Sequence, residues 1–132
     1  MKEEIIERFS KDNGFIKNHN FKITELNDDE CIMEYEVEES GLNPIKIVHG
    51  GLLFGLADSC AGTLACMSGK FPVTINSNIH YLNAANCKRL IAKASRLKEG
   101  NYIGYYKVDI FDENDELKCT CNVDMYMKKV DQ

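Results

Sequence analysis

VHGGLLFGLADSCAGTLACM, residues 48–67, is the stretch that decides the fold. It is apolar on nearly every side and rich in Ala and Gly. Its length would suit a membrane span, but His49 and Asp58 lie inside it. An aspartate at mid-membrane costs about 3 kcal/mol on insertion scales. No second apolar segment accompanies the stretch, and the rest of the chain reads as half-exposed sheet. A helix apolar all round in a soluble protein is a buried helix. Ser68-Gly69-Lys70 supplies its stop.

Downstream the chain alternates strands and turns. Residues 73–83 carry Val73, Ile75, Ile79, Tyr81 and Leu82. Residues 89–98 follow, then a turn at Glu99-Gly100-Asn101, a strand over 102–111 and a turn at Asp112-Glu113-Asn114-Asp115. The last strand, 117–128, puts Cys119, Cys121, Val123, Met125 and Met127 on one face and Lys118, Thr120, Asn122, Asp124 and Tyr126 on the other. Upstream, residues 2–11 read as a short amphipathic helix with Ile5, Ile6 and Phe9 on one face, ended by Asn13-Gly14. A strand over 21–27 and the turn Asn27-Asp28-Asp29 follow. Then Cys31, Met33, Tyr35 and Val37 alternate with Ile32 and acidic neighbours, and 40–48 is irregular. The short turns favour antiparallel hairpins. The fold class is therefore α+β: a short N-terminal helix, and a long buried helix wrapped by a curved antiparallel sheet. At 132 residues the chain is a single domain over 1–132.

Sixteen basic against twenty-one acidic residues leave a net charge of −5. That argues against a nucleic-acid partner, which wants a basic face, and against docking on an anionic membrane. The six cysteines show no C-x-x-C spacing, and the three histidines share no ligand spacing with them. They read as free thiols in a reducing, cytoplasmic compartment, with no metal and no bound cofactor.

Three features carry chemistry. His49-Gly50-Gly51 opens the buried helix, where amides lack intrahelical acceptors and carry partial positive charge. Glycine there lets a ligand carbonyl approach, the geometry an oxyanion needs; it also permits simple close packing. Asp58 is the only charged residue between His49 and Lys70. Buried, it must pair, face a cavity or take up a proton, and burial would make it a better base. Asn43, beside Pro44, can orient a ligand or simply form a turn. Gly50 and Asp58 are eight residues apart, roughly 12 Å along one helix. Catalytic contact needs about 3 Å. If both act on one substrate, they come from two antiparallel copies of the helix in a two-fold dimer.

Asn43, His49-Gly50-Gly51 and Leu56-Ala57-Asp58, followed by the strand Val73-Thr74-Ile75-Asn76-Ser77-Asn78-Ile79-His80-Tyr81-Leu82, resemble the hotdog-fold acyl-CoA thioesterases of the PaaI type over roughly residues 30–128. The resemblance implies a hotdog fold and hydrolysis of an acyl-CoA substrate to free acid and CoA by a homodimer with shared sites, often assembled into a homotetramer. It implies that Asp58 activates water or attacks the thioester, that the Gly50 N–H holds the carbonyl oxygen, and that Asn43 and His49 orient the thioester or the water. Thr74 would help place the water, from the same subunit as Asp58 and opposite Gly50.

The chain departs from the pattern twice. Lys46 stands where the family often has Gly, three residues before His49. Asn86-Cys87-Lys88-Arg89 replaces a Gly-Asp turn. Lys88 and Arg89 could hold a phosphate of coenzyme A, as Gly51 could contact substrate, or they could be solvated turn charges. Two alternatives share the fold: a non-catalytic acyl-CoA-binding module, against which Asp58 counts, and a hydratase or dehydratase, against which the spacing counts.

Overall fold

Glu3 and Glu4 occupy the first turn of helix α1 (Lys2–Lys11), and Arg8 and Lys11 its last, the charge order a helix dipole favours. The computed structural model describes residues 1–11 and 14–130. Ile5 is buried, and Ile6 and Phe9 pack against the core. Of the expected helix end, Asn13 lies outside the described residues. Gly14 is not left-handed: at φ −89° it opens a one-turn helix, α2 (Phe15–Asn18), that the sequence pattern does not announce.

Strand β1 (Lys22–Leu26) turns into β2 (Glu30–Glu36) through Asn27, whose side-chain oxygen accepts the N–H groups of Asp29 and Glu30 at 2.9 Å. Cys31, Met33 and Tyr35 are buried, as the alternation requires. The irregular segment contains a 3-10 turn, Glu39–Gly41. Helix α3 (Gly50–Ala65) follows, and a 3-10 turn, Cys66–Ser68, leads to Gly69 at φ +81°. The remaining strands are β3 (Phe71–Tyr81), β4 (Arg89–Glu99), β5 (Ile103–Asp112) and β6 (Leu117–Lys128).

The strands form one sheet in the order β1-β2-β4-β5-β6-β3, every neighbouring pair antiparallel. Strands β2 to β6 all contact α3. By length and composition α3 and its 3-10 extension could cross a membrane; here the sheet takes that place. Leu56 and Leu64 are fully buried against it, each contributing about 2 kcal/mol of transfer free energy.

Two features depart from the alternation. Strand β3 lies at the sheet edge, and its Phe71, Val73 and Ile75 are about half exposed rather than turned to the core. A bulge between Thr74 and Asn76 leaves Ile75 out of register. Lys118, on the face expected to be wet, is only 5% exposed. Its ammonium donates to Glu116 and to the Ala84 carbonyl, 3.5 Å from Asp112. The Glu116 carboxylate first, and then Asp112, hold the Lys118 pKa up. Backbone N–H groups of Glu116 and Asn114 hold the Asp112 carboxyl below its ordinary value. The network ties the 112–116 turn to the loop through Ala84 and Ala85, and the Ala85 carbonyl receives the N–H of Val48 at 3.0 Å. That loop thereby braces the start of α3.

Candidate active site

His49 caps α3 with extended backbone, φ −62° and ψ 136°. Its Nδ1 accepts the Gly51 N–H at 2.8 Å, and its carbonyl receives the N–H groups of Leu52 and Leu53. The Gly50 N–H has no acceptor among the described residues. Of the two glycine amides, then, Gly50 presents the open donor, while Gly51 spends its own on His49. Gly51 therefore offers a substrate no amide here, and the ring nitrogen of His49 that faces the helix is occupied. The Gly50 carbonyl is engaged too, by the Tyr81 hydroxyl at 2.9 Å. A Cβ at position 50 would lie 3.3 Å from the Tyr81 ring. Tyr81 reads in the sequence only as a strand residue; its hydroxyl anchors the helix entrance from the far end of β3.

Asn43 turns its side-chain oxygen inward on its own loop, accepting N–H groups of Ile45 at 3.1 Å and Ile47 at 3.3 Å. It acts as a turn former, beside rather than at the Gly50 amide. The same loop holds Lys46 at φ +69°. Lys46, standing where the family often has glycine, takes the left-handed turn itself and bears its steric cost. Lys46→Gly should relieve it and raise stability by about 0.5–1 kcal/mol, net of glycine's larger unfolded-state entropy. Chemical denaturation of the two proteins measures this; equal midpoints would refute it.

Asp58 is half-buried rather than buried, on the open face of α3. Thr74 donates its hydroxyl to Oδ1 of Asp58 at 2.6 Å, so the two residues expected to work together are in contact within one chain. Asp58 and Thr74 line a cavity of about 760 Å³ whose walls are mostly apolar, with Phe54 from α3, Phe9 from α1, Phe15 from α2 and Phe71 from β3. Gly50 does not line it; that residue opens on a separate cavity of about 220 Å³ with Asn43 and Tyr81. One chain thus holds the acid and the open amide on different faces of α3.

Arg89 is not brought to either cavity. Its Nε lies 3.6 Å from Glu34, in a groove shared with Glu36 and Glu38. The backbone N–H groups of Lys88 and Arg89 both donate to the Glu113 carboxylate. The Arg89 side chain thus lies beside Glu34, and the Lys88 side chain is exposed on the same turn.

All six cysteines are free thiols. Burial pushes Cys119 up to about 12 and Cys87 up to about 11, and it raises Cys60 well above the ordinary thiol value. Such thiols are poor nucleophiles at neutral pH. Among the described residues no cluster of His, Cys, Asp and Glu could hold a metal ion.

Residues 45–119 match the sequence profile of the thioesterase superfamily. Acyl-coenzyme A thioesterase 13 of Mus musculus is 33% identical over 86 residues, 62% of this chain and 61% of the mouse protein. A hypothetical thioesterase protein of Streptococcus pneumoniae TIGR4, solved with coenzyme A, superposes with a TM-score of 0.79 at 27% identity, covering 84% of this chain and 92% of that one. A thioesterase structure from Haemophilus influenzae gives a TM-score of 0.90 at 19% identity over 100% of this chain and 93% of that one, which speaks to the fold. With the helix, the sheet order and the profile in agreement, the chain belongs to the thioesterase superfamily and is a thioester hydrolase.

Proposed function

We propose that the protein hydrolyses acyl-CoA thioesters, with Asp58 and Thr74 of one subunit acting on a carbonyl held by Gly50 of another. The observation that carries this is the Asp58–Thr74 pair facing an apolar cavity. Thr74 occupies one carboxylate oxygen and leaves the other for a water. Asp58 takes a proton from that water as its oxygen attacks the carbonyl carbon. The carbonyl electrons move to oxygen, where the Gly50 N–H and the start of α3 stabilise the charge. Collapse breaks the C–S bond, and the thiolate of coenzyme A leaves and takes the proton back. Direct attack by Asp58 through an anhydride uses the same groups.

The separation of Gly50 from Asp58 favours a two-copy site, and so does strand β3. An eleven-residue edge carrying exposed Phe71, Val73 and Ile75 is a surface that pairing with a second sheet would cover. A further pairing of dimers into a tetramer fits the same reading. We place the protein in the cytoplasm, where its thiols stay reduced.

The test is thiol release from acyl-CoA esters, short to long and aliphatic to aryl, with a no-substrate control for the protein's own cysteines. Turnover of at least one ester is expected. Binding of acyl-CoA without turnover would reassign the chain as a binding module.

A further inference from the structure

Phe15 sits where two cavities meet. It lines the Asp58 cavity of about 760 Å³ and a second of about 190 Å³ that holds His49, Gly51 and Leu52. Its ring tip rests on Gly55 of α3, where an added Cβ would come within 2.6 Å of Cζ. Glycine at 55 therefore makes a notch in the helix, and the ring occupies it. The residue is nevertheless 47% exposed. Edge contacts to Phe21, at 5.6 Å between ring centres, and from Phe21 to Tyr35, at 5.5 Å, root the ring in the core from one side only.

We propose that Phe15 is the specificity-determining gate of the acyl cavity, a partition across α3 that limits the length of hydrocarbon the enzyme accepts. This rests on the acyl-CoA reading above. Around Asp58 the walls supplied by Phe9, Ile16, Phe54, Pro72 and Met125 are apolar, so the acyl group they suit is an unsubstituted hydrocarbon. A chain longer than this cavity meets the ring seated on Gly55. Shortening residue 15 joins the two cavities, and each further methylene then leaves water instead of stopping at the ring.

Wild type, Phe15→Leu and Phe15→Ala should be compared on straight-chain esters from butanoyl- to hexadecanoyl-CoA. The ratio of kcat/KM for hexadecanoyl over hexanoyl is expected to rise about tenfold in Phe15→Ala, the worth of roughly two additional buried methylenes, with Phe15→Leu between. Binding of the matching S-alkyl-CoA thioethers, which cannot be hydrolysed, should show the same graded shift in Kd. An unchanged ratio and unchanged Kd profile in a folded Phe15→Ala would overturn the gate; if that variant does not fold, Phe15→Leu decides in the same way. Absence of hydrolysis by all three would remove the acyl-CoA hydrolysis reading, and the thioether profile would then decide the gate alone.

Discussion

Asp58→Asn is expected to lower kcat on the preferred thioester about 10³-fold, the worth of a positioned base or nucleophile, while KM moves little. Asparagine keeps the shape of the side chain and can still meet the Thr74 hydroxyl 2.6 Å away, but it can neither take a proton from water nor attack a carbonyl. Because Asp58 is half-buried and faces a cavity, the substitution empties no core space, and the melting temperature should hold. Steady-state kinetics beside a thermal melt give the answer. A variant keeping more than roughly a tenth of the wild-type rate would remove Asp58 from the chemistry.

Gly50→Pro should produce the second large loss, about 10²- to 10³-fold in kcat, the cost of deleting one oxyanion donor. Position 50 is the first residue of α3, and proline is well tolerated there. His49 before it already has the extended backbone that proline requires of its neighbour. The substitution removes the one open N–H and disturbs little else, apart from crowding at the Tyr81 ring. Its value grows when paired with Asp58→Asn. Each variant alone has two broken sites per dimer. Mixed chains that exchange freely form heterodimers in which one site has both defects and the other has neither. Recovery of about a quarter of wild-type activity on mixing is the statistical expectation. No recovery from chains shown to exchange would place the acid and the amide in one subunit.

Much of this molecule is legible in its sequence, for identifiable reasons. Helix α3 announces itself because it is apolar on all sides and ends at a glycine that does take positive φ. Strand β6 reads directly because Cys119 through Met127 alternate without interruption. What resists reading depends on distant residues. The seat of Phe15 is made by Gly55, forty residues later, and no one-turn helix has a periodicity to detect. The Arg89 side chain meets Glu34 on the neighbouring strand, a matter of sheet register. Lys118 is buried because two carboxylates of the 112–116 turn and the Ala84 carbonyl of a separate loop converge on its ammonium. Val73 faces solvent because its neighbour Thr74 takes the helix side of β3 and meets Asp58, and alternation alone does not say which face of a strand the helix covers. At the site, Asp58 stands out by its chemistry and Thr74 only through the family resemblance, whereas which of Gly50 and Gly51 keeps an open amide depends on which one His49 caps.

Strand β3 is joined to α3 at two separated points, Thr74 to Asp58 and Tyr81 to Gly50. By exposure alone Tyr81 looks like a position free to drift, and an engineer recolouring that strand for solubility would replace it early. The sheet would survive the change. What would go is the ring that sets how large residue 50 can be and the hydroxyl that aims the first turn of the helix. Tolerance to substitution along this edge therefore follows whether a side chain reaches back to the helix, and a surface-accessibility map drawn to guide redesign would mark the wrong residues as free.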